Sequence, residues 1–338
     1  MSGNETHWLS AESTSLSGEL NQQRQLWVLL FDELTFTDLG LPSVGRGISQ
    51  EFQSRSVSFE QYYVQNLQAS PHVTQALQAV LQPLNSLPAA VPSVVIQFDA
   101  VSGEDLAELR GVTALIHADS TAPADLRSAP EVQECQLCIC LLPAARFLET
   151  ELFEQLIRTI EAGSSGSDSV PPEILVTALR GRRSLPDTSA GPDESLMHVP
   201  LLYTGDRRNT DAVQGICGSE DLPSTIVDLL QINGTADEAA AADDSTAFST
   251  DPLSLLQVMR AAEVTESRRL TIRGDHWTAY RTSDCLVWSP CTQHAVLDAM
   301  DAAQLFLKPE DRWNRNDVSR AYAVMLEAVL GAGKRAEL

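Results

Sequence analysis

PEILVTALRGRRSLPDTSAGPDESLMHVPLLYTGDRRNTDAVQGICGSEDLPSTIVDLL, residues 172–230, is the stretch on which the fold turns. It opens with an apolar run, Ile174 to Ala178, short enough to be a buried strand, followed by a glycine turn at Gly181 and a loop rich in Arg, Ser, Asp and Pro. A second apolar run, Val199 to Tyr203, comes next. After another loop, Asp221 is placed to cap a helix that takes Pro223 in its first turn and carries Leu222, Ile226, Leu229 and Leu230 on its apolar side. Strand, long loop, strand and capped helix predict an α/β protein, in which loops leaving the carboxyl ends of strands build the site.

Working outward, Trp27 to Phe31 is a continuous apolar run of the kind a central strand needs when both its faces are covered, and it runs directly into Asp32 and Glu33. Val94 to Phe98, Ala114 to His117 and Cys138 to Leu142 are further short strands bounded by turn residues or acids. Helices are expected at Phe59 to Leu67, Val73 to Leu81 and Arg146 to Ala162, the last with Phe147, Leu148, Leu152, Phe153, Leu156, Ile157 and Ile160 at helical spacing. Towards the C-terminus, Arg269–Arg273 and Trp277–Arg281 read as a hairpin joined by Gly274-Asp275-His276, with further strands at Leu286–Trp288 and Leu305–Leu307. A terminal helix is expected to open at Asp317, with Tyr322, Met325, Leu326 and Val329 on one side, Trp313 anchoring the preceding turn and Asn316 or Asp317 as its cap. Four regions result: a loose polar tail over 1–24, an α/β domain over 25–233, an acidic linker over 234–251 and a C-terminal α+β subdomain over 252–338.

The 46 acidic residues outnumber the 23 basic ones, for a formal charge of −23, which opposes docking on phosphate backbones or anionic lipid. Neither nucleic acid nor a membrane is an expected partner. No apolar run is long enough to span a bilayer, and the N-terminus has no basic start leading into an apolar core, so a cytoplasmic protein is expected. Six cysteines in 338 residues do not make a disulfide scaffold. Cys135, Cys138 and Cys140 crowd one strand, where alternation puts Cys138 and Cys140 on the same face. A metal or redox cluster is one reading of them; small packed thiols is the other, since neither a second C-x-x-C nor a nearby His completes a tetrahedral site.

The order of these residues resembles the sulfatases of the alkaline phosphatase superfamily. In that family a strand ends in a Thr-x-Asp-His-Gly type motif, followed by a Glu, a His-Val-Pro-Leu type strand and a helix opening Asp-Leu-x-x-Thr-x-x-Asp-Leu. The matching letters here are Thr177-Ala178-Leu179-Arg180-Gly181, Glu194, His198-Val199-Pro200-Leu201-Leu202, and Asp221-Leu222-Pro223-Ser224-Thr225-Ile226-Val227-Asp228-Leu229. The C-terminal hairpin and the Leu305–Val318 turn are also similar to the family's small subdomain. The resemblance implies an alkaline-phosphatase-like, mixed and mostly parallel sheet flanked by helices, with a small antiparallel C-terminal subdomain.

What the resemblance implies for chemistry is different. The family's first strand runs into two acids that help bind calcium or magnesium, and Asp32 and Glu33 stand in that place as weak candidate metal ligands. The family's Asp-His metal pair falls on Leu179 and Arg180. The Cys-x-Pro-x-Arg or Ser-x-Pro-x-Arg motif, whose first residue becomes the formylglycine nucleophile, occurs nowhere; Cys140-Leu-Leu-Pro143-Ala-Ala-Arg146 has the wrong spacing, and residues 41–92 look shortened where the motif belongs. The expectation is therefore a sulfatase-like protein that has lost sulfuric ester hydrolysis, needs no cofactor, and serves as a binding or assembly homologue for a protein partner or a small anionic ligand. The alternative is a hydrolase of sulfate or phosphate esters with a rebuilt site, in which Glu194, His198 or Asp32 acts as acid or base. A further expectation is that Arg180 fills the vacated cation position and pairs with Asp32 and Glu33, because a buried acid pair without a counter-ion is costly.

Overall fold

The computed structural model describes residues 25–39, 48–67, 73–85, 91–98, 109, 112–118, 126, 128–148, 151–162, 170–182, 192–205, 212–230, 252–260, 268–290, 302–308 and 316–336. The expected polar tail, the acidic linker and Trp313 lie outside these residues. Fourteen strands are described: β1 Leu26–Phe31, β2 Val57–Phe59, β3 Tyr62–Tyr63, β4 Ser93–Phe98, β5 Ala114–Ala118, β6 Leu137–Leu142, β7 Glu173–Ala178, β8 Leu201–Thr204, β9 Ala212–Val213, β10 Cys217–Gly218, β11 Leu270–Arg273, β12 Trp277–Arg281, β13 Cys285–Pro290 and β14 Gln304–Leu307.

Eight of them form one sheet in the order β5-β4-β6-β1-β7-β8-β2-β9. From β5 to β7 all neighbours are parallel, and β8 then runs antiparallel to both β7 and β2. Every residue of β1, β4, β6 and β7 is buried, which is why β1 and β6 are continuous apolar runs and β4 and β7 are apolar apart from the buried Ser93, Gln97, Glu173 and Thr177, with no alternation. Helices cover the sheet. Leu152–Ala162 turns Phe153 onto Phe31 and Phe52 with ring centroids 5.9 and 5.6 Å away, and Leu222–Leu229, with Leu222, Ile226 and Leu229 buried, packs beside the helix Val73–Asn85. Each fully buried Leu or Phe of this kind contributes about 1.5–3 kcal/mol by leaving water.

A separate antiparallel sheet runs β11-β12-β13-β14. Alternation along β13 divides its side chains between two cores: Leu286 faces Tyr63, Met197 and Ile216 of the main body, while Cys285 and Val287 face Leu326 and Val329 of the terminal helix Ala323–Ala336. The architecture is the mixed, mostly parallel sheet with a small antiparallel partner that the sequence predicts. Among the described residues no helix is long and apolar enough to cross a membrane.

Four local expectations are corrected. Phe59–Leu67 is not a helix but the end of β2, a turn and β3; Val57, Phe59, Tyr62 and Tyr63 are all buried, and this bulky, aromatic-rich stretch pairs with β8, β9 and β10. Arg146–Ala162 is two helices, Ala144–Phe147 and Leu152–Ala162. The terminal helix starts at Ala323, because Asp317 spends its carboxylate on the amides of Leu305 and Ser319 ahead of it, and Tyr322 is exposed. Asp221 stands at the cap position of Leu222–Leu229, but its carboxylate accepts no hydrogen bond from that helix; only its backbone carbonyl does, from the Thr225 hydroxyl at 2.7 Å. The carboxylate oxygens take the amides of Gly218 (2.7 Å) and Leu253 (2.8 Å) and a two-pronged ion pair from the buried Arg268.

Candidate functional site

Parallel strands β6, β1 and β7 end side by side, and their backbones stay joined past the last paired residues: Asp32 N–H donates to Leu142 O (3.0 Å), Leu179 N–H to Phe31 O (2.9 Å) and Leu34 N–H to Arg180 O (3.1 Å). This register brings Asp32, Glu33, Leu179 and Arg180 together at the carboxyl end of the sheet's central strands, as loops there do in α/β folds.

The two acids then part. Asp32 Oδ1 accepts the amides of Glu33 and Ala144, both at 2.8 Å, so one oxygen is held by the backbone at the start of the Ala144–Phe147 turn. Glu33 instead faces guanidinium groups, with Arg180 Nη2 2.9 Å from Oε1 and Arg182 Nε 3.5 Å from Oε2. The Arg180 side chain is 46% exposed, so this is a half-solvated ion pair. Arg180 pairs with Glu33 and not with Asp32; the expected bridge to both acids forms to one of them. As a test of fit to a calcium- or magnesium-type ion, this end of the sheet offers one carboxylate tied to amides, one tied to two cations, an aliphatic side chain and a fixed positive charge. A hard cation needs several converging oxygens, and this donor set does not provide them. Among the described residues no group of three or more His, Cys, Asp or Glu is arranged to hold a metal ion.

Glu194 and His198 lie at the two ends of the short helix Glu194–Met197, which is tied to the strand ends by the Gly181 N–H to Leu196 O bond (2.9 Å). The carboxylate of Glu194 reaches into a polar cluster that sequence reasoning missed. Lys308 Nζ is 3.0 Å from Oε2, Tyr63 Oη donates to Oε1 at 3.1 Å, and Arg281 Nε donates to the Tyr63 hydroxyl at 3.0 Å while standing 4.0 Å from Glu194. Lys308 and Arg281 are 2% and 4% exposed and come from the antiparallel sheet, more than 80 residues along the chain, so no local motif could have announced them.

His198 stacks on Tyr63, with ring centroids 4.8 Å apart and planes 16° from parallel, and meets Phe36 at 4.4 Å. Its Nε2 lies 2.6 Å from Glu60 O, so this nitrogen carries the proton and donates it. Burial lowers the His198 pKa, helped by the positive charges of Arg281 and Lys308 and opposed by Glu194 and the Glu60 carbonyl. Burial likewise pushes the Tyr63 hydroxyl well above its usual range, and it stays a neutral donor. His117 is exposed near the carboxyl end of β5, the edge strand two places beyond β6 in the sheet.

No family model and no curated protein matches this sequence. Solved structures do. A protein in the alkaline phosphatase superfamily from Vibrio parahaemolyticus is similar over 90% of this chain and 88% of its own, with a TM-score of 0.56 at 13% identity. A 2-O GAG sulfatase is similar over 93% and 90%, with a TM-score of 0.60 at 13% identity. A candidate sulfatase from Bacteroides fragilis is similar over 92% and 94%, with a TM-score of 0.64 at 9% identity. At these identities the shared property is the fold.

Proposed function

We propose that this chain, whose fold is that of the sulfatases and the alkaline phosphatase superfamily, has left sulfuric ester hydrolysis and serves as a binding or assembly homologue. The observation that carries the reading is the Glu33–Arg180 ion pair, a guanidinium seated against the acid that would otherwise face a cation. Three further facts support it. Leu179 has no atom able to ligate a metal, Asp32 is engaged by two amides, and the sequence contains no Cys-x-Pro-x-Arg or Ser-x-Pro-x-Arg from which a nucleophile could be made. Losing a single stabiliser of developing charge slows catalysis by about two to three orders of magnitude, and here several are absent together.

The rebuilt-hydrolase alternative would need Glu194 or His198 to exchange protons with a substrate. Against it, Glu194 is held by Lys308 and Tyr63, and the protonated nitrogen of His198 is already given to a carbonyl. The half-exposed Arg180 and Arg182 suit a small anion or a carboxylate on a protein partner better than a bond-breaking step.

The test is hydrolysis of aryl sulfate and aryl phosphate esters by the purified full chain, with and without added calcium. No turnover above that of the Asp32→Ala variant is expected. Turnover that disappears in Asp32→Ala would overturn the reading.

A further inference from the structure

At the opposite end of the sheet from Asp32 and Glu33, the segment that leads into β6 brings two thiols together. Cys135 closes the helix Pro130–Glu134 and Cys138 is the second residue of β6, and their sulfurs lie 2.8 Å apart. Alternation along the strand puts Cys138 and Cys140 on one face, but the turn into the strand joins Cys135 to Cys138 instead. The backbone around this turn is fixed from two sides. Gln25 Nε2 donates to Val132 O (2.8 Å) and Cys135 O (3.1 Å), Leu26 N–H donates to Gln136 O (2.8 Å), and Gln136 N–H donates to Pro92 O (2.9 Å). Two thiols held this way need little movement to reach the roughly 2.05 Å of a sulfur–sulfur bond.

We propose that Cys135 and Cys138 form a reversible dithiol–disulfide pair that reacts with small-molecule disulfides such as glutathione disulfide. The metal reading of the cysteine cluster is not favoured, because no group of three or more His, Cys, Asp or Glu able to hold an ion occurs among the described residues. The two partners are not equivalent. The hydrogen bond from Cys138 lowers the Cys135 pKa despite burial, which raises it, whereas burial pushes the Cys140 thiol well up, reinforced by the charge of Cys135. Cys135, in the turn ahead of the strand and the less buried of the two, is the attacking thiol, and Cys138, inside β6, the resolving one. Cys135 expels one glutathione thiolate from glutathione disulfide and becomes a mixed disulfide; Cys138, having lost its proton, attacks the Cys135 sulfur and expels the second. The two protein thiols give up two electrons and two protons, and glutathione disulfide becomes two molecules of glutathione. Both cysteines are buried, so the reaction proceeds through opening of the Cys135–Gln136 turn and is slow compared with an exposed thiol.

The test uses the full chain, equilibrated in glutathione buffers of increasing disulfide fraction, quenched in acid, alkylated after denaturation and mapped by fragment mass spectrometry. The expected result is loss of two hydrogens confined to Cys135 and Cys138, at buffer ratios where Cys140, Cys217 and Cys285 are still alkylated, and reversal by dithiothreitol. In Cys138→Ser the glutathione adduct on Cys135, transient in the wild type, is expected to accumulate. Alkylation of Cys135 and Cys138 to the same extent as Cys217 and Cys285 at every ratio would overturn the proposal, as would a persistent glutathione adduct on wild-type Cys135. Neither result bears on the hydrolysis test, which concerns the other end of the sheet.

Discussion

Glu33 and Asp221 are both carboxylates facing guanidinium groups, and their surroundings give them different weights. Glu33 and Arg180 are open to water, where such a pair contributes about 0–1 kcal/mol, so Glu33→Gln should lower the free energy of unfolding measured in urea by no more than that. Asp221 and Arg268 are 0% and 1% exposed, and cutting Asp221 to Ala strands the cation and orphans the amides of Gly218 and Leu253. The expected cost is about 3–5 kcal/mol in the same unfolding experiment. His198 adds a pH dependence whose sign follows from its burial. Its folded pKa lies below the unfolded value of about 6.5, so the unfolded chain takes up protons first and stability falls as the pH drops through that value. Urea midpoints measured between pH 8 and 5 should decline, and His198→Gln should flatten the part of the decline that sets in below about pH 6.5. Of these residues the sequence exposed Glu33, Arg180 and His198, because each adjoins an apolar strand; the partner of Asp221 lies 47 positions away and could not be inferred from spacing.

Elements carry their legibility in their burial. β1, β4, β6 and β7 are covered on both faces and announce themselves by apolar runs, unbroken in β1 and β6 and three residues or more in β4 and β7, whereas β2 and β3 are too short for alternation and helical spacing to be told apart. The hairpin of β11 and β12 was readable for a different reason, the tight Gly274-Asp275-His276 connection between two β-rich runs. Gly181 shows why one turn cannot carry a side chain: a Cβ built there would overlap the Ser195 carbonyl oxygen. Gly181→Ala must push the Glu194–Met197 helix away from the end of β7, breaking the Gly181–Leu196 hydrogen bond. A loss of about 1–3 kcal/mol is expected from such overpacking, read by calorimetric unfolding, and the amide of residue 181 should lose its protection in hydrogen exchange.

At the scale of the molecule, the antiparallel sheet is fastened to the main body by an apolar layer and by the Glu194 cluster within it. Lys308→Met leaves that carboxylate without its nearest cation and should cost on the order of 3 kcal/mol; adding Glu194→Gln should recover most of this, since the two changes remove one interaction. The fold was legible because its parallel strands are local runs in the right order. The candidate site was legible only at the strand tips, since the groups that hold Glu194 come from chain segments whose meeting is a product of tertiary packing.

The central claim is that a guanidinium, and not a divalent ion, satisfies the acid at the end of the first strand. Isothermal titration of calcium and magnesium into the full-length chain measures this directly. The account predicts no saturable binding to the wild type; stoichiometric uptake that is abolished by Asp32→Ala together with Glu33→Gln would contradict it.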